Sequence, residues 1–245
     1  YHALHSVMAP LALADRLSLV ADPSSGATDT LRVEGFACGP AADNLVLRAL
    51  AAARRAVRGH LPADPPGLAV RLDKRIPVAA GLAGGSSDAA AAIDGALEAW
   101  NAGDVLSGPE RVALAASVGS DVPFFLAHGP ALVEGRGERV TPLHGLVAGP
   151  GEEPPGILLV TPAVAAHTAD VFAAWAGGAM AEPGVAARSS EHFASELGSG
   201  LSTRRLLERA GVLAAANDLL PAAAAVVDGL VPFRRALMRL LGRPI

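Results

Sequence analysis

At 245 residues, 51% of them hydrophobic, the chain is long enough to bury a sizeable core in one large domain or two lobes, yet no run reaches the ~18 uncharged apolar residues of a membrane helix. Twenty Lys and Arg stand against 24 Asp and Glu, a net charge of -4, so no basic excess draws the chain to nucleic acid. Cys38 is the single cysteine, which excludes an intrachain disulfide and a thiolate metal cluster and suits a reducing cytoplasm.

The chain opens at Tyr1-His2-Ala3 without the basic and then apolar pattern of a leader. Leu11 to Val20 alternates apolar and polar positions and predicts a half-buried strand, ended by the turn Asp22-Pro23-Ser24-Ser25-Gly26. Leu31 to Glu34 predicts a second strand. Gly39 to Asp43 is a loop that offers Asp43 as an N-cap, and the spacing of Leu47, Leu50, Ala51, Arg54 and Val57 is helical, with Gly59 as the stop. The pairs Arg54-Arg55 and Arg204-Arg205 read as solvated helix faces. Leu68 to Asp73 predicts a strand with Leu68, Val70 and Leu72 on one side; a glycine-rich loop from Gly81 to Gly85 and an alanine-rich helix from about Ser87 to Trp100 follow. Pro109 opens another helix, closed by Gly119.

Ala131–Glu134 and Arg139–Leu143 flank Gly135-Arg136-Gly137-Glu138 as a hairpin. Ile157 to Val160 reads as a buried strand, with a lobe boundary just before it, so that residues 1–150 and 151–245 form two domains. Ala181 to Gly200 lacks strong periodicity and reads as a mobile segment. Three short helices are expected from near Ser202, Asp218 and Pro232. The order of elements is that of an α+β body without internal repeats.

Two stretches carry candidate chemistry. In Gly81-Leu82-Ala83-Gly84-Gly85-Ser86-Ser87-Asp88, glycines let the backbone turn tightly and point successive N–H groups into one concavity, and the following helix adds its unpaired first-turn N–H groups. That arrangement suits a polyphosphate. Ser86 and Ser87 add hydroxyls for phosphate or Mg²⁺, whereas Asp88 repels phosphate unless a cation intervenes. The stretch has neither the Lys-Ser/Thr ending of a Walker loop nor the spacing of a dinucleotide fingerprint; an ordinary glycine turn with a serine cap stays open as the bland alternative. In Gly119-Ser120-Asp121-Val122-Pro123-Phe124-Phe125, a carboxylate stands before a rigid apolar run, where it can accept the proton of an alcohol attacking phosphorus. Alone, that segment reads equally well as a helix-end turn.

Taken together, residues 81–90 with Tyr1-His2, Asp43-Asn44-Leu45-Val46, Leu72-Asp73-Lys74-Arg75-Ile76-Pro77, Gly119 to Phe125, Gly135 to Glu138, His167-Thr168-x-x-Val171-Phe172 and Asn217-Asp218-Leu219 resemble the GHMP kinases. They take the form typical of members that phosphorylate a cytidine diphosphate-linked methylerythritol. The glycine stretch by itself names only the superfamily, so another small-molecule kinase of that superfamily is the alternative, as is a weakly active nucleotide-binding remnant. The resemblance implies a two-lobe fold, a ribosomal-protein-S5-like amino-terminal lobe and a ferredoxin-like carboxyl-terminal lobe, and transfer of the γ-phosphoryl of ATP with Mg²⁺. It implies Asp121 as the catalytic base and a substrate contact, phosphate binding by Gly81, Leu82, Ala83, Gly84, Gly85, Ser86 and Ser87, a cytosine pocket of Tyr1, His2 and Phe172, and substrate binding by His167 and Thr168 as well. It also implies a cytoplasmic monomer or homodimer with a small-molecule substrate and neither nucleic acid nor membrane as partner. Family members carry a Pro-x-Lys-x-Asn strand before the Tyr-His pair and a Gly-Ser-Gly loop near the carboxyl end; this sequence begins after the first and stops before the second, as expected of part of a longer protein.

Overall fold

The computed structural model describes residues 4–143, 156–162, 164, 166–177, 185–199, 217 and 219–242. By their contacts they divide into two units, one spanning Met8–Pro142 with Leu4, the other Leu143–Ile245 with His5–Val7. The predicted boundary after residue 150 falls among residues 144–155, outside the described ones.

The strand β1 (Leu4–Met8) comes first in sequence, and the first unit continues with β2 (Arg16–Asp22), β3 (Thr30–Gly35) and, after a helix, β4 (Gly67–Lys74). The last three form a sheet in the order β2-β4-β3. The central β4 runs antiparallel to β2 and parallel to β3, and a parallel pair needs a crossover, which α1 (Leu45–Val57) supplies. Along β4, Leu68, Val70, Leu72 and then Lys74 are buried while Ala69 and Arg71 are exposed. That is the period of two expected of a strand covered on one face.

The cover is helical. α1 packs on α2 (Gly84–Ala99) and on α3 (Gly108–Val118), and α2 also lies on β2, close enough that a Cβ at Gly95 would meet Leu19 Cδ1 at 2.7 Å. Val46, Leu50 and Val57 of α1, Ile93 and Leu97 of α2, and Leu68 and Leu72 of β4 make one buried cluster, each large side chain contributing roughly 1.5–3 kcal/mol. Beyond α3 come the single turn α4 (Val122–Phe125) and the hairpin of β5 (Ala131–Gly135) and β6 (Arg139–Pro142), with Val133 opposite Val140. Leu4 and Met8 pack with Phe124, Ala131 and Val133.

In the second unit, Val171 of α5 (Thr168–Ala176) meets Ala222 of α7 (Leu219–Val226), Val227 and Leu230. α6 (Val185–Gly198) lies between these two helices in sequence, and α8 (Leu230–Leu241) closes the described chain. The mixture of helices and strands is the α+β class. Among the described residues no helix is long and apolar enough to cross a membrane.

Several expectations are corrected. The strand predicted from Leu11 starts only at Arg16, because Asp15 is turned to other partners. The cap of α1 is Asn44, whose Oδ1 accepts from Val46 N at 2.9 Å; Asp43 belongs to a short 3-10 turn before it. Arg54 is not solvated: its guanidinium pairs with Asp29, donates to the carbonyls of Pro65 and Pro66, and lies 4.7 Å over the Trp100 ring. A helix-face pattern cannot reveal partners that arrive from a distant loop. Ala181 to Gly200 contains α6, where Ala, Arg, Glu and Leu favour the helix and Ala194 is buried. Ile157 to Val160 form no strand, and Ile157 and Leu158 are 63% and 72% exposed; among the described residues no neighbouring strand pairs with this apolar run. Arg204, Arg205, Ser202 and Asp218 lie outside the described residues.

Candidate active site

The glycine stretch is built by backbone conformation more than by glycine. Ala79, Gly81 and Ala83 all have positive φ, 58°, 70° and 50°, so every second residue is left-handed, and two of the three are alanines for which that region is strained. Such strain persists only where the surroundings over-determine it, and it gathers at ligand-binding sites. The zigzag ends at Ala83, the residue before α2. Gly84 and Gly85, expected in the loop, are the first two helical residues. Ser86 N and Ser87 N both donate to the Ala83 carbonyl at 3.0 Å, and the Ser87 hydroxyl donates to the Gly84 carbonyl at 2.8 Å. The Ser87 proton is thereby engaged, while its oxygen keeps lone pairs.

Beneath this start lies a buried ionic cluster of Asp15, Lys74 and Asp88. Lys74 Nζ reaches Asp15 Oδ2 and, at 2.8 Å, Asp88 Oδ2, and all three side chains are at most 6% exposed. Asp15 Oδ1 meanwhile accepts from Arg75 N at 2.5 Å and Ile76 N at 2.8 Å. Burial pushes Asp88 up to about 6, with Lys74 opposing and Asp15 adding to the rise. Burial also works against charge on Asp15, but the bonds from Lys74 and from the Ile76 and Arg75 amides prevail and hold it below the usual carboxylate value. For Lys74, burial pulls downward and the two carboxylates outweigh it, leaving the ammonium above its ordinary value. Lys74 is the cation that offsets the Asp88 carboxylate at the start of α2. A side chain at Gly84 would obstruct this: its Cβ would lie 2.8 Å from Ile76 Cγ2 and 3.0 Å from Lys74 Nζ.

Asp121 occupies the N-cap position of α4 but makes no side-chain cap bond, and it is half-buried beside fully buried Val122. Three features hold its backbone. Arg48 of α1 donates to the Val118 carbonyl at 3.2 Å; Val122 N donates to the Gly119 carbonyl at 3.2 Å; and the hairpin turn presses on Ser120, since a Cβ at Gly137 (φ 106°) would run into the Ser120 carbonyl oxygen. The turn is itself fixed by Glu138, whose Oε2 accepts from Arg136 N at 2.6 Å. α4 packs on both α2 and α3, so the aspartate and the helix that begins at Gly84 belong to one packed body.

The remaining predicted residues fall elsewhere. His167 holds the N-cap position of α5, without a side-chain cap bond, and is exposed; Thr168 is the first helical residue. Phe172 is half-buried while its neighbour Val171 takes the core position. Tyr1 and His2 lie outside the described residues. The first unit thus gathers the glycine stretch and Asp121, and the second carries His167, Thr168 and Phe172. Asp15 and Lys74 were absent from the predicted site. The parity of β4 signals Lys74, because a lysine two residues beyond Leu72 falls on the buried face and must find carboxylates. Among the described residues no three His, Cys, Asp or Glu side chains group as metal ligands.

Residues 44–129 match the family model of the GHMP kinases N terminal domain. The chain is 43% identical over 179 residues to the 4-diphosphocytidyl-2-C-methyl-D-erythritol kinase of Symbiobacterium thermophilum, covering 70% of this chain and 55% of that protein. The kinase of the same name from Pelotomaculum thermopropionicum is 43% identical over 178 residues, 73% of this chain and 57% of that one. A crystal structure of 4-(cytidine 5'-diphospho)-2C-methyl-D-erythritol kinase is similar with a TM-score of 0.47 and 35% identity, covering 63% of this chain and 53% of that chain. The chain spans about half the length of the curated relatives it matches.

Proposed function

We propose that this chain belongs to a kinase that transfers the γ-phosphoryl of ATP to the 2-hydroxyl of 4-diphosphocytidyl-2-C-methyl-D-erythritol, a step of the non-mevalonate route to isoprenoid precursors. The observation that carries the reading is the left-handed zigzag at 79, 81 and 83 leading into the Gly84-Gly85 start of α2, in the same packed body as an aspartate not used as a cap. In this reading the N–H groups of residues 81–85 and the positive end of α2 hold the nucleotide's phosphates. Asp121 accepts the proton of the acceptor hydroxyl as its oxygen bonds to the γ-phosphorus and the bond to the ADP oxygen breaks.

With Asp88 committed to Lys74, Mg²⁺ fits best as an ion held by phosphate oxygens and water, with the Ser86 and Ser87 oxygens as neutral donors. When bound it neutralises charge on the phosphates. Tyr1, His2, His167, Thr168 and Phe172 are assigned to the cytosine end of the substrate, where flat aromatic faces suit a pyrimidine. Residues 1–150 are the nucleotide-binding lobe and 151–245 the carboxyl-terminal one. A cytoplasmic place and a monomeric or homodimeric state belong to the same proposal.

The test is a product assay on the full-length protein with ATP, Mg²⁺ and the cytidine diphosphate-linked alcohol. ADP and the 2-phosphate should appear together. Turnover of homoserine or mevalonate, with none of the cytidyl substrate, rejects this substrate in favour of another small-molecule kinase of the superfamily.

A further inference from the structure

Asp15 touches the glycine stretch only at Asp88, yet it clamps both of its ends. On the entry side, Oδ1 holds the amides of Arg75 and Ile76, the two residues that lead from β4 toward the first left-handed residue, Ala79. On the exit side, Oδ2 holds Lys74, whose ammonium also holds Asp88 in the second turn of α2. Gly84 closes the arrangement by lying directly against Ile76 and the Lys74 ammonium. The segment between carries strained alanines at 79 and 83, and nothing in their own side chains enforces that conformation. One buried carboxylate, about sixty residues away in sequence, links the strand that delivers the stretch to the helix that receives it.

We propose that Asp15 is a positioning residue for nucleotide phosphates, acting through Lys74 and the Arg75 and Ile76 amides to hold the left-handed turns ahead of α2 in their binding shape. This rests on the phosphate-binding reading above. A carboxylate that merely stabilised the fold would weaken every ligand alike, whereas one that shapes the phosphate cradle weakens the phosphates selectively.

The experiment compares ATP and adenosine affinities by titration calorimetry in the full chain for the wild type, Asp15→Asn and Asp15→Ala, with circular dichroism to establish folding. Asp15→Asn keeps an acceptor for the two amides but drops the charge on Lys74. Its ATP affinity should fall about 10-fold, the scale of one charge-assisted hydrogen bond. Asp15→Ala should fall further, and adenosine affinity should stay within about 2-fold in both, far less than the loss of that bond. Equal losses for both ligands, or unchanged ATP affinity, overturn the positioning role. A wild type that binds ATP no better than adenosine overturns instead the phosphate-binding reading beneath it. Amide exchange in the unliganded wild type gives a check that needs no variant: Arg75 and Ile76 should be protected like the interior of β4, and exchange at the rate of open amides contradicts the clamp.

Discussion

Replacing Lys74 by methionine keeps most of the side-chain volume and removes the charge. Asp15 and Asp88 would then face each other, 4% and 6% exposed, with no cation between them. Breaking a buried pair by deleting one partner costs about 3–5 kcal/mol, a Tm fall on the order of 10 °C for a chain of this size. The loss should depend on pH. In the wild type, Asp88 rises from 3.8 to about 6 on folding, so the native state binds the extra proton and stability declines as pH rises through that window. Asp15 acts oppositely, its depressed value giving stability that is lost only as pH falls through it. Without Lys74, Asp88 moves higher still, and the decline extends above pH 6. Thermal melts of both proteins at pH 5 and pH 8 should therefore show a gap that widens toward pH 8. A gap below about 1 kcal/mol, the ordinary scale of an exposed pair, or one independent of pH, refutes the reasoning.

Asp29 accepts from Arg54 Nη2 and, at 2.8 Å, from Leu68 N, so Asp29→Ala strands a buried guanidinium and should cost about 3–5 kcal/mol in urea unfolding. Asn44→Ala removes the cap of α1 and should cost about 1 kcal/mol in the same assay. Gly137→Ala places a methyl group into the Ser120 carbonyl at φ 106°; steady-state kinetics should show kcat falling while the KM for ATP holds, because Ser120 precedes Asp121 and not the glycine stretch.

Much of the first unit was legible in the sequence because its signals are local. Alternation gave β4, helical spacing gave α1, and glycines flanking Arg136 gave the hairpin. The glycine stretch and Asp121 stood out because few other segments pair unusual backbone freedom with a placed carboxylate. What stayed hidden came from long-range partners. Asp15 reads as one more polar residue ahead of a strand, and its role exists only because the chain returns to it some sixty residues later. Arg54 was misread for the same reason. Ala79 and Ala83 were invisible in another way, since alanine gives no hint of a left-handed backbone. Phe172 and Val171 are neighbours on one helix, and only the packing of α5 against α7 decides which of them takes the core.

The central claim is that a carboxylate at position 121 takes the proton while the start of α2 holds the phosphates. Its most direct test is Asp121→Asn in the full-length protein, with ATP affinity and the rate of phosphoryl transfer measured side by side. Transfer should fall by about 10²–10⁴, the usual contribution of a general base, with ATP bound nearly as tightly as before. Transfer at close to the wild-type rate would contradict the account.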